Sequence, residues 1–177
     1  MSCALPYCDR TLQHLLKTFL DITLLKAGPE DLPQSTFVLV YAIGLLVLAF
    51  AVSAALAPDS GTGDLAISFL VAVLSYFVYW LVLIATGFAN RLVPTIAAIM
   101  ACGSILTVLQ SVVFVVMGMF VNASTTATVA WLILIWAIPV KGNIIARAIE
   151  QHWYIGIAIA MSIFVMQNIV YVSLVSP

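Results

Sequence analysis

Apolar residues run along this chain in long blocks separated by short polar clusters. A helix that crosses a bilayer needs about 20 mostly apolar residues, and five blocks answer to that pattern. The first runs from Thr36 to Ala57 and stops at Pro58, Asp59, Ser60, Gly61, Thr62, Gly63 and Asp64, a cluster of breakers and carboxylates. The second covers Leu65 to Phe88 and ends at Ala89, Asn90 and Arg91. The third covers 93–120, with Pro94 acceptable in a first helical turn. The fourth is apolar over 126–140 and continues as a polar extension to Gln151; the fifth covers 153–175. The connections are short, so successive helices are expected to be antiparallel neighbours in one bundle. The blocks are continuous rather than alternating, which excludes a membrane β-barrel.

Residues 1–35 form a different segment. Leu12, Leu15, Leu16, Phe19, Leu20 and Leu24 recur at helical spacing, with Arg10, Gln13, His14, Lys17, Asp21 and Lys26 on the remaining surface. Gly28, Pro29 and Pro33 then stop the pattern. The segment predicts an amphipathic helix lying at the membrane interface. It has no continuous apolar core or small-residue cleavage site, so it does not read as a signal peptide. The fold expected is therefore all-α: a polytopic membrane protein of five transmembrane helices over 36–177, preceded by an interfacial helix.

All six positive charges fit one orientation. Arg10, Lys17 and Lys26 precede the first span, Arg91 separates the second from the third, and Lys141 and Arg147 separate the fourth from the fifth. The other two connections and the C-terminal end carry none. Because Lys and Arg in short loops mark the cytoplasmic side, five spans put the N-terminus in the cytoplasm and the C-terminus in the periplasm or lumen. A bacterial inner membrane is the location expected.

Composition agrees and narrows the function. The chain is 64% hydrophobic and 7% charged, with net charge −1. That is too few ionic groups to cover a water-facing surface, and it offers no phosphate-neutralising face for nucleic acid. Cys3, Cys8 and His14 match no strong zinc spacing, and Cys102 falls inside a span. Met1 to Cys8 offers a possible palmitoylation site. No ionisable side chain lies mid-span, and no nucleophile–base or phosphate-binding motif occurs, so neither an enzyme nor a cofactor is expected. Asn122, Ala123 and Ser124 spell a glycosylation sequon whose occurrence reads as accidental.

Two groups of residues are left as candidates. Gln110, Gln167 and Asn168 are the strongest polar groups inside the spans, and each must find a partner in another helix, a cavity or a subunit contact. Small residues at four-residue steps (Ala49, Ser53, Ala57; Ala97, Ala101; Gly156, Ala160) allow close helix approach. The second group is cytoplasmic. Pro139 is expected to interrupt the fourth helix near its cytoplasmic end, after which Ile144, Ile145, Ala148 and Ile149 present an apolar face beside Arg147, Glu150 and His152, either as a helix end with snorkelling charges or as a short interfacial helix. Together with Leu12, Leu16, Phe19, Leu20, Arg91, Lys141, Arg147 and Glu150, it would form a docking face.

The stretch Trp131, Leu132, Ile133, Leu134, Ile135, Trp136, then the polar break from Lys141 to Gln151, then Tyr154 to Ala160, resembles the end of bacterial Yip1-domain membrane proteins. The five close spans behind an amphipathic lead resemble that family too. The eukaryotic members' aspartate–leucine–tyrosine–glycine–proline motif has no counterpart, so a GTPase partner is not implied. The resemblance implies a non-enzymatic protein that binds other membrane proteins, as homo- or hetero-oligomer, or shapes the lipid bilayer. An accessory subunit of a larger complex, and a channel or carrier for an uncharged solute built on Gln110, Gln167 and Asn168, are the alternatives.

Overall fold

In hydrocarbon, backbone amides must pair within their own segment, so each apolar block folds as a helix. The computed structural model of the chain describes residues 15–32, 35–56, 62–88 and 91–175. Among them there is no strand. A short helix α1 covers residues 15–23 and is followed by a 3-10 turn, Pro29–Asp31. Five long helices follow: α2 (Thr36–Leu56), α3 (Thr62–Ala85), α4 (Leu92–Phe120), α5 (Ala123–Ala148) and α6 (Trp153–Val175). All five are long and apolar enough to cross a membrane. Large apolar side chains such as Val40, Leu48, Leu70, Leu132 and Ile169 stand exposed along them. The protein is an integral membrane protein.

The helices alternate in direction. We term the end at which α3 and α5 finish the near end, and the end at Val121 and Asn122 the far end. α4 occupies the middle, with α2 laid along it and α5 on another side; α6 pairs with α5, and α3 packs on α6 and α4 while scarcely meeting α2. Three helices, α3 and α5 at the near end and α1 within the bundle, finish with the same closure. The N–H groups of Lys26, Phe88 and Gln151 bond back to the carbonyls of Asp21, Leu83 and Ala146, and the residue before each has positive φ. Gly87 takes that conformation freely, whereas Leu25 and Glu150 take it against their side chains.

Two expectations are corrected here. Pro139 does not interrupt the fourth span: α5 continues through it for more than two turns to Ala148. Pro139 forfeits a single hydrogen bond to Ile135, and the packing beyond it sustains the helix. Ile144, Ile145, Ala148 and Ile149 are all buried within the bundle instead of lying at an interface. Their support is a close crossing with α6. A Cβ added to Gly142 would lie 2.9 Å from the Ile157 backbone, and one added to Gly156 would collide with the Gly142 carbonyl and stand 2.7 Å from the Ala146 Cβ. The Gly156 and Ala160 pair thus serves a contact inside the chain.

The second correction concerns α1, which is built into the bundle. Leu15, Phe19 and Ile22 are 0–5% exposed and share a core with Val38, Ala42, Ile99, Cys102, Ile144 and Ile145. Phe19 stacks on Tyr41 of α2 at 6.2 Å, its carbonyl accepts from the Cys102 thiol of α4 at 3.6 Å, and the Thr23 carbonyl accepts from the Trp136 indole of α5 at 3.4 Å. Cys102 stands ten residues into α4 and Trp136 twelve before the end of α5. At 1.5 Å per residue, α1 therefore reaches about 15 Å inside the near end. The chain then returns, so that Glu30 meets Arg147 at the tip of α5.

Candidate functional site

The near-end charges are spent on one another. Arg91 pairs with Glu150 at 2.6 Å and Arg147 with Glu30 at 2.7 Å, with side chains roughly half exposed. Glu30, Arg91 and Arg147 frame a recess of about 240 Å³ with Pro29, Leu32, Pro94 and Thr95. Of the apolar residues expected on a docking face, Leu16 and Leu20 are exposed (39% and 43%), Phe19 is fully buried, and Leu12 lies outside the described residues. Leu24 extends the exposed row. The described part of α1 thus carries two apolar stripes: Leu15, Phe19 and Ile22 turn into the bundle, while Leu16, Leu20 and Leu24 turn away from it.

Lys141 does not join that surface. Because α5 runs on past Pro139, Lys141 sits seven residues before the helix end, about 10 Å inside. Its side chain lines a cavity of about 350 Å³ to which every one of the five long helices contributes. Gln110 of α4 and Gln167 of α6 line the same cavity, with Ser68 and Tyr76 of α3 and Thr107 of α4. Leu46, Phe50, Leu106 and Phe164 supply hydrocarbon walls. The Tyr76 hydroxyl lies over Gly103, 3.3 Å from where a Cβ would stand, so the glycine makes its room. A second recess of about 290 Å³ shares Phe50, Ser68, Thr107 and Gln110 and adds Ser53, Leu56, Ser111 and Phe114. These added positions lie further along α2 and α4, so the polar lining continues toward the far end.

The three amides of the sequence reading therefore part company. Gln110 and Gln167 face one space from different helices, and neither is hydrogen-bonded among the described residues. Asn168 stays on its own helix: its side-chain amide donates to the Phe164 carbonyl at 2.8 Å on an exposed face. Most span hydroxyls likewise bond the carbonyl four residues back, as Ser75, Ser104, Thr107 and Ser162 do. Ser53 also bonds Ser111 across α2 and α4 at 2.8 Å. Among the described residues no cluster of His, Cys, Asp or Glu is arranged to hold a metal.

Sequence reasoning missed Lys141 and Tyr76 as cavity residues. The apolar steps at Ile144, Ile145 and Ala148 after Lys141 were the available signal, because they continue the helix and so carry the lysine inward. Comparison of the chain with known protein families, with characterised proteins and with solved structures yields no match.

Proposed function

We propose that this protein is a non-enzymatic membrane protein that holds a small solute between its helices and passes it across the bilayer, as a carrier or channel. The observation that supports the reading is the cavity of about 350 Å³ lined by all five long helices, with polar side chains from α3, α4, α5 and α6 facing it. A bundle built only as a scaffold has no need of such a space, because polar groups at helix interfaces are normally spent on one another. The distribution of Lys and Arg favours an orientation with the near end in the cytoplasm, in a bacterial inner membrane. The test is flux. Proteoliposomes containing the wild-type chain should pass small polar solutes faster than empty liposomes, and Gln110→Leu with Gln167→Leu should remove the difference. Flux unchanged by that double replacement counts against the proposal.

A second reading is favoured by a different observation. The exposed row Leu16, Leu20 and Leu24 gives α1 an outward apolar face, suited to another membrane protein in the Yip1-like manner or within a larger complex. Replacing the three with serine should abolish recovery of that partner in mild detergent while leaving the bundle folded. Recovery undiminished by the replacements is the refuting result.

A further inference from the structure

We infer that the cavity is a binding site for a small organic monocarboxylate, with Lys141 meeting the carboxylate and the hydrocarbon walls receiving the carbon tail. The inference rests on the solute-holding reading and specifies its ligand class. The first argument is charge. Lys141 has neither an ion pair nor a hydrogen bond among the described residues: Glu30 is committed to Arg147 and Glu150 to Arg91, and Asp21 of α1 makes no ion pair with it. An ammonium surrounded by apolar helices is costly without a counter-charge. On the next turn of α5 toward the near end, Ile144 and Ile145 are fully buried with Phe19, Ile22 and Ile99 and offer the ammonium no polar partner. An anion entering the cavity supplies what the protein withholds.

Valence and wall chemistry then select among anions. One lysine balances one negative charge, and a sulfate or doubly charged phosphate would keep an unmatched charge in a low-dielectric space. Gln110, Gln167 and Tyr76 carry donors for further carboxylate lone pairs. Leu46, Phe50, Leu106 and Phe164 are a poor surface for a hydrated inorganic ion and a good one for an alkyl or aryl group. A volume of about 350 Å³ lies at the small end of ligand cavities, which begin near 300 Å³. The continuation along Ser53 and Ser111 provides a far-end approach.

The same carboxylate chemistry could arrive from water or, as a fatty acid, from the bilayer, so the test uses probes of both kinds. The full chain in nanodiscs of uncharged phospholipid is titrated with radiolabelled hexanoate, and unlabelled hexanamide and palmitate are used as competitors. Wild type, Lys141→Leu and Lys141→Arg are compared, each checked by its melting temperature. Saturable hexanoate binding is expected, with hexanamide weaker by about tenfold, which corresponds to about 1.4 kcal/mol for the charge. Lys141→Arg should keep that preference and Lys141→Leu should lose it. Palmitate displacing hexanoate about tenfold more strongly than unlabelled hexanoate does would assign the carboxylate site to a membrane lipid; weaker displacement assigns it to a water-borne acid. Should Lys141→Leu fail to fold, the hexanoate–hexanamide comparison in wild type still decides. Equal competition by hexanamide would overturn the anion assignment while leaving a solute cavity. Binding of neither hexanoate nor hexanamide would overturn both.

Discussion

Replacing Phe19 with alanine asks whether α1 belongs to the bundle or merely rests against it. Phe19 is fully buried and stacked on Tyr41, and its carbonyl accepts from the Cys102 thiol. Truncating a phenylalanine in a packed core costs about 3–5 kcal/mol, from lost contact and the void left behind. At about 2–4 °C per kcal/mol for a chain of this size, the melting temperature in detergent should fall by roughly 6–20 °C. Leu16→Ala is the control, because Leu16 is 39% exposed and its loss should cost under about 1 kcal/mol. A second readout is local. With Cys3 and Cys8 replaced by serine, Cys102 is the sole thiol, and its burial should protect it from a membrane-permeant maleimide. Phe19→Ala opens a void beside the backbone that covers it, so labelling should speed up while Leu16→Ala stays slow. Phe19→Ala melting within about 2 °C of wild type, with Cys102 still protected, would show that α1 is not packed as described.

Three further outcomes follow from the packing. Gly156→Val should remove most folded monomer in size-exclusion profiles, because its branched side chain meets the Gly142 carbonyl, whereas Gly44→Ala, with nothing within 4 Å of its added Cβ, should be neutral or up to about 1 kcal/mol stabilising by thermal melting. A double-mutant cycle on Arg147 and Glu30 should return under about 1 kcal/mol of coupling that shrinks further in high salt, since both side chains are about half exposed; a larger, salt-independent value would contradict that exposure. Ser53→Ala with Ser111→Ala should show coupling of about 0.6–1.7 kcal/mol in melting experiments, the range for a hydrogen bond between membrane helices, and zero coupling would mean that the pair is not bonded.

The five long helices were legible because hydrophobic length is a direct reading of bilayer thickness. Three spans agree within a residue or two: Thr36–Leu56, Leu92–Phe120 and Trp153–Val175. The other two were misjudged by rules learned in water, the second placed three residues late at both ends and the fourth given an interruption at Pro139. The breaker cluster before Leu65 includes Thr62, Gly63 and Asp64, yet α3 begins at Thr62; Pro139 and Lys141 suggested a break followed by a polar extension to Gln151, yet α5 runs unbroken to Ala148. In hydrocarbon, leaving the helix orphans backbone groups that water would otherwise satisfy, so one missing N–H is tolerated. For α1, the mixed spacing hid two stripes as one. Positions 15, 19 and 22 turn to the bundle and 16, 20 and 24 away, and a period alone cannot say which neighbour each stripe will meet.

The cavity was illegible for a related reason, since it depends on how five helices pack rather than on any motif. Gly142 and Gly156 bring α5 and α6 into backbone contact near one end, while the positions facing the cavity further along carry bulk, Phe164 and Gln167 on α6 and Ile133 and Leu134 on α5. On the α2–α3 side the two helices meet sparingly, chiefly where Phe50 lies edge-on to Phe69. The small residues that read in sequence as adhesion thus fix α5 against α6 next to Lys141, while Gln110 and Gln167 line the same cavity from α4 and α6. A bulkier side chain at that crossing and a neutral one at Lys141 should therefore fail in different ways. Gly142→Ala should shift the melting temperature and alter binding of every solute alike, because it moves the walls. Lys141→Leu should leave the shape intact and change only the selection between charged and uncharged solutes. Parallel losses in the two variants, for hexanoate and hexanamide equally, would refute the separation of shape from charge.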